Sequence, residues 1–137
     1  MATQNLKGIE AIRRTLTQVS SPSFRSAVLL SLSEEARKLA VDGFQQSTSP
    51  YGKKWQPLKF RDGKPLLDTG VLRNSLKGKP TASGISISSN LEYAATHNYG
   101  RGSIPKRQFL PDRASGLGAK WTRAFRRTIE SALKAVR

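Results

Sequence analysis

His97 is the only side chain in this 137-residue sequence whose ordinary titration falls near neutrality. One imidazole cannot build a histidine-based zinc site, and its nearest carboxylates in sequence, Glu92 and Asp112, lack ligand spacing. The absence of cysteine excludes disulfides, thiolate nucleophiles and sulfur-ligated metals. Serine is abundant, so a Ser–His pair can be drawn on paper, but no Gly-x-Ser-x-Gly elbow exposes one. A hydrolase built on His97 is therefore the least supported reading. The ordinary one makes His97 a hydrogen-bonded structural residue beside Tyr93 and Tyr99. Asp42, Asp62, Asp68, Glu92 and Asp112 are too dispersed to nominate an acid–base pair, and Asp68 reads better as a helix cap. Neither a phosphate-cradling loop nor a dinucleotide fingerprint is present. The sequence nominates no catalytic residue, metal ligand or cofactor, and the expectation is a protein that is not an enzyme.

Charge is the stronger signal. Lys and Arg total 24 against 9 Asp and Glu, a formal +15, which repels itself in the isolated chain and attracts polyanions or acidic proteins. Lys53 and Lys54 open one basic cluster that continues through Lys59, Arg61 and Lys64, while Arg123, Arg126, Arg127 and Lys134 form another. Tyr51, Trp55 and Phe60 are interleaved with the first, as in single-strand binders. The generic alternative is a solvated face plus a loop that Trp55 anchors to the core or to a neighbour. No named DNA- or RNA-binding signature accompanies these clusters. A basic nucleic-acid-binding protein therefore stands as the alternative function, and the basic residues are candidates to face either DNA or an acidic partner.

The elements that position these residues follow from periodicity. Leu6, Ile9, Ile12, Leu16 and Val19 recur at helical spacing. Ser21 is a plausible N-cap with Pro22 at the first helical position, opening a helix to about Phe44. Its buried stripe is Phe24, Val28, Leu32, Ala36, Leu39 or Ala40, and Phe44; Glu34, Glu35, Arg37 and Lys38 take the wet side. From about 45 to 80, closely spaced Pro and Gly residues predict a long arm-like loop, interrupted by a short helix carrying Val71 and Leu72. Residues 84–89 alternate as a half-buried strand, pairing near Leu76–Lys79 across a Pro80–Gly84 turn. A short helix is expected over Tyr93–His97, and a basic amphipathic helix over about 119–136. The predicted architecture is one α+β domain over 1–137, with N-terminal helices and a C-terminal helix packed on a small antiparallel sheet. No stretch approaches the roughly 18 apolar residues that span a bilayer, and the N-terminus lacks a secretory apolar core. The expectation is a soluble protein made in a cytosol, with no membrane partner.

Four landmarks stand in order. Ser49-Pro50-Tyr51-Gly52-Lys53-Lys54-Trp55-Gln56-Pro57-Leu58 precedes Leu66-Leu67-Asp68-Thr69-Gly70-Val71-Leu72-Arg73-Asn74-Ser75. Tyr93-Ala94-Ala95-Thr96-His97-Asn98-Tyr99-Gly100 and Ile104-Pro105-Lys106-Arg107-Gln108-Phe109-Leu110 follow. Over about Phe44 to Leu110 this series resembles the phage virion morphogenesis family, the tail completion proteins of tailed bacteriophages. Gln108 departs from the family pattern, which often has proline before Phe-Leu.

The resemblance implies a structural virion protein acting in tail completion and head–tail joining, with no catalytic role. It implies a ring-forming or ring-decorating subunit at the neck, a hexamer among the closed counts, reached through the host cytoplasm during assembly. The implied partners are portal, connector, stopper or tail terminator proteins, with non-specific contact to DNA in the neck channel. Candidate interface residues are Trp55, Leu58, Leu72, Arg73, Tyr93, His97, Arg107, Phe109 and Leu110. Large apolar groups anchor interfaces, and Arg73 and Arg107 offer planar forks to a neighbour's carboxylates. The arm is expected to order only against adjacent subunits.

Overall fold

The computed structural model describes residues 6–58, 63, 65–66 and 70–136. Helix α1 (Leu6–Ser20) leads into α2 (Pro22–Gln46); then come α3 (Val71–Ser75), strands β1 (Lys77–Pro80) and β2 (Ile85–Ser88), α4 (Ala94–Tyr99) and α5 (Ala119–Ala135). The class is α+β, with α2 as its axis.

The boundary between α1 and α2 is set locally. Ser21 takes an extended conformation, and its hydroxyl accepts from the Phe24 N–H (3.2 Å) while Pro22 opens the new helix. At the other end Ser47 adopts the left-handed conformation (φ 54°) and closes the helix by donating back to the Gly43 carbonyl.

Between those ends α2 is covered from two directions. The β-hairpin packs on one side and α5 on another. Ala36, Leu39, Ala40 and Phe44 are buried as the periodicity predicts, and Ser33 joins them with its hydroxyl bonded to the Leu30 carbonyl (2.7 Å). Arg37 is exposed, as expected, and donates from Nε to the Leu76 carbonyl (2.9 Å). The terminal helices are placed differently from expectation. α5 lies chiefly against α2 rather than on the sheet, with Trp121 and Ala124 buried; α1 touches α2 near their junction and leaves its apolar stripe bare.

The hairpin is antiparallel, with Gly78 opposite Ile87 and Lys79 opposite Ser86, and its turn closes through Thr81 N–H to the Gly84 carbonyl (2.7 Å). Gly78 is where the strand backbone meets α2. A Cβ built there would come within 2.4 Å of the Ser33 carbonyl oxygen, whereas one at Gly84 meets nothing within 4 Å. Only glycine therefore lets β1 approach so closely.

One expectation about residues 45–80 changes. Residues 47–58 fold back on the core: Thr48 bridges to Lys54, the Trp55 N–H donates to the Ser47 carbonyl (2.8 Å), and Trp55 is buried. They are no free arm, because an indole this large gains more from the core than from water. Lys59, Phe60, Arg61, Asp62, Lys64, Leu67, Asp68 and Thr69 lie outside the described residues, and with them the Asp68 cap.

Gly78→Ala should force β1 away from α2 and lower the unfolding free energy by about 1–3 kcal/mol, while Gly84→Ala should stay within about 0.5 kcal/mol of the parent. Chemical denaturation of both variants measures the difference, and equal stabilities would refute the close-approach account.

Candidate functional site: the fastened loops beside the Phe44 cluster

The last turn of α2 presents Phe44, fully buried, to two residues remote in sequence. Trp55 meets it edge-on (ring centroids 5.5 Å, 83°) and Phe109 lies tilted against it (5.2 Å, 40°). Pairs of this geometry add about 0.5–1.5 kcal/mol beyond area burial. They bring the loop after α2 and the segment after α4 onto one side of the molecule.

Polar side chains then fasten the irregular backbone. The Trp55 indole Nε1 donates to the Gln108 carbonyl (2.8 Å). Asn98, only 4% exposed, accepts at Oδ1 from the backbone N–H groups of Phe109 (3.0 Å) and Leu110 (3.1 Å). The Tyr51 hydroxyl donates to the Gly116 carbonyl and accepts from the Asp112 N–H (2.9 Å). Gln108 donates from Nε2 to the Leu110 carbonyl (2.8 Å) and to Asp112 Oδ2 (2.9 Å), so side-chain bonds supply at this turn the stiffness a proline ring would bring. The bond from Gln108, then that from the Ser115 N–H, holds the Asp112 carboxyl below its ordinary range.

Arg107 corrects an expectation. Its side chain is not offered outward to a neighbour: the residue is 7% exposed, with Nε on the Gln56 carbonyl (3.0 Å) and an Nη on the Pro57 carbonyl (3.2 Å). Its own N–H donates to the His97 carbonyl (2.8 Å). A guanidinium serves here because its fan of donors reaches two loop carbonyls at once.

His97 differs too from the hydrogen-bonded role expected of it. The imidazole meets the Tyr93 ring edge-on (5.9 Å, 85°), but its buried Nδ1 makes no hydrogen bond among the described residues, and Tyr99 is largely exposed. Burial, and secondarily the nearby Arg107 charge, hold it below its ordinary value of 6.5. Among the described residues no carboxylate stands on that atom, from which one would orient a catalytic imidazole. Among the described residues no group of three or more His, Cys, Asp or Glu is arranged to hold a metal ion, and no described helix is long and apolar enough to cross a membrane.

The sequence-nominated interface residues therefore divide. Trp55, Leu72, Arg107 and Phe109 are buried within the chain; Leu58, Arg73, His97 and Leu110 are half-buried; Tyr93 is exposed. Arg73 donates from Nε to Asn74 Oδ1 (3.1 Å). All six basic candidates, Lys53, Lys54, Arg123, Arg126, Arg127 and Lys134, are exposed. The four on α5 share one arc with Lys120, which flanks the side that buries Ala124. Asn98 was missed. A polar residue in a short helix carries no periodic signal, and its role shows only when the Phe109–Leu110 backbone lies beside it.

The sequence profile of the phage virion morphogenesis family matches residues 5–134. The match extends past the Phe44–Leu110 landmarks to take in both α1 and nearly all of α5. No curated protein and no solved structure matches the sequence.

Asn98→Ala strands two backbone donors and should cost about 2 kcal/mol or more, read as a shifted denaturation midpoint. The His97 imidazole gives a pH signature. Its proton is bound more weakly folded than unfolded, so its contribution is complete above 6.5 and is lost as pH falls through that value towards the lower folded pKa. Melting temperature should accordingly fall on acidification between about pH 8 and 5, and less so in His97→Gln. Identical pH profiles would dismiss the imidazole as the source.

Proposed function

We propose that this chain, which belongs to the phage virion morphogenesis family and so is a structural protein of bacteriophage virion assembly, completes the tail and joins it to the head. In this reading it reaches the neck from the host cytoplasm, transforms no substrate, and forms or decorates a ring by docking on other copies and on portal, connector, stopper or terminator proteins. Closed symmetry suits a component that surrounds a DNA channel.

The observation that carries this reading is the bare stripe on α1. Ile9, Ile12 and Leu16 are 47%, 62% and 58% exposed on one face of a fifteen-residue helix. Three large aliphatic side chains left in water are a cost that a protein working alone would remove by burial. Their i, i+3, i+7 spacing is that of a helix laid into a groove.

Charge favours a neighbouring copy as the occupant. Up to Gln46 the chain carries six basic and four acidic residues, net +2; beyond it there are eighteen and five, net +13. Copies that meet through α1, which itself carries Lys7, Arg13 and Arg14 against Glu10, keep the +13 segment that follows Gln46 away from the contact. Tyr93 and the half-buried Leu58 and Leu110 offer apolar surface to other neck proteins.

The second reading, a basic nucleic-acid-binding protein, rests on the exposed row of Lys120, Arg123, Arg127 and Lys134 along α5. A DNA titration over a range of salt separates the two: tight binding with a steep salt slope and no self-association favours this second reading.

Ile12→Asp and Leu16→Asp should leave the melting temperature nearly unchanged, since both side chains already face water, yet abolish the oligomer in sedimentation velocity and leave heads and tails unjoined by electron microscopy of infected cells. Oligomers and normal tailed virions from the double variant would defeat the proposal.

A further inference from the structure

Lys53 and Lys54, on the turn after α2, and Lys106, on the segment after α4, line one cleft of about 310 Å³. Trp55 and Gln108 form its inner wall and Tyr51 its side. The cleft is rigidly made. Its two strands of backbone are joined by the Trp55 Nε1 bond to the Gln108 carbonyl, and Tyr51 is held at its hydroxyl by Gly116 and Asp112.

Three lysines line this cleft, and of them only Lys106 has a carboxylate, Asp112, close enough to feel its charge. The only ion pair among the described residues is Glu10 with Arg13, on α1. Lys54 Nζ reaches a neutral carbonyl, that of Gln46 (3.2 Å). The nearest carboxylate, Asp112, already accepts from Gln108 Nε2 at one oxygen and the Ser115 N–H (2.7 Å) at the other. Positive charges gathered about a concave surface focus their field and leave it to be neutralised from outside.

We propose that this cleft is a docking site for an acidic peptide segment of a partner virion protein, whose carboxylates sit among Lys53, Lys54 and Lys106. The inference deepens the assembly reading and rests on it for the kind of partner. The walls favour peptide over nucleic acid. Single-strand binders stack bases on open aromatic faces, but Trp55 is 8% exposed and packed on Phe44, and the Tyr51 ring lies so near Gly118 that a Cβ there would come within 2.9 Å of it. The Trp55 ring is therefore not free to take a base, and the Tyr51 ring is half-buried. A cleft of this size admits one or two acidic side chains, whereas a duplex backbone needs a long open track such as the outer arc of α5.

The test follows backbone amide resonances of the full chain as a short oligoglutamate peptide is added at about 0.15 M salt, with a DNA duplex and a single-stranded oligonucleotide as parallel titrants. Saturable shifts confined to residues 49–56 and 106–108 are expected. The combined variant Lys53→Gln, Lys54→Gln, Lys106→Gln should weaken peptide binding by about tenfold or more, with an unchanged melting temperature because all three side chains are exposed. Arg123→Gln with Arg127→Gln should change it by less than about twofold. The proposal is overturned if either DNA shifts the cleft amides at equal or lower concentration, if oligoglutamate shifts spread along α5, or if no saturable shift occurs. Failure here leaves the tail-completion reading standing, because that is read separately from particle morphology.

Discussion

The fold depends on Phe44. It sits at the last turn of the helix that organises the molecule, is entirely withdrawn from water, and touches the two aromatic residues that anchor otherwise irregular segments. Without that ring neither Trp55 nor Phe109 has a reason to lie where it does, and the cleft between their segments has no walls. The left-handed Ser47 cap matters for the same reason, since it turns the chain so that Trp55 returns to Phe44 after only ten residues. A small domain with a two-stranded sheet has little ladder to rely on. Its order in the loops comes from a few aromatic contacts of high value.

Hydrophobic contacts alone would leave those loops slack, because their backbone groups are not paired in ladders. The structure answers with side chains that reach backbone: Asn98 to two N–H groups, Arg107 to two carbonyls, Tyr51 to one of each. Such bonds contribute modestly when made and cost considerably when broken, so each fastener acts chiefly by penalising departure from one arrangement. The outcome is a fixed outer surface built from segments with almost no regular structure. That is the property a subunit needs if rigid neighbours must fit against it without paying to order it first.

Much of this was legible in the sequence, and the part that was not follows a pattern. The Ser21–Pro22 start of α2, its buried stripe and the hairpin with its turn are local or periodic, and the chain signals them directly. Periodicity says which residues share a face but not what covers it. The stripe of α1 therefore gave no sign that Ile9, Ile12 and Leu16 would stay exposed. Residue type misled in the same way. An arginine in a loop motif reads as an outward fork, but Arg107 lies within reach of the Gln56 and Pro57 carbonyls, fifty residues away, which no spacing rule anticipates. Trp55, equally fit for core or interface, was decided by Phe44. Asn98 had no signal because its partners are backbone atoms, which are alike at every residue.

The distribution of charge ties these features together. Nearly all the surplus lies after Gln46, in the fastened loops and on α5, while the two N-terminal helices are close to neutral. If the surplus served only solubility, nothing would favour segregating it, and carboxylates interspersed among the lysines would relieve the repulsion at no cost. Instead Lys53, Lys54 and Lys106 stand exposed on a surface that the aromatic cluster and its polar fasteners hold still, and the single ion pair among the described residues lies on α1. Repulsion held in a rigid surface is released only when anions arrive from outside. At the opposite end of the sequence α1 leaves Ile9, Ile12 and Leu16 exposed on one face. On the proposed reading the α1 stripe meets other copies and the lysine cleft meets acidic neighbours, and both can be engaged at once because they occupy different elements.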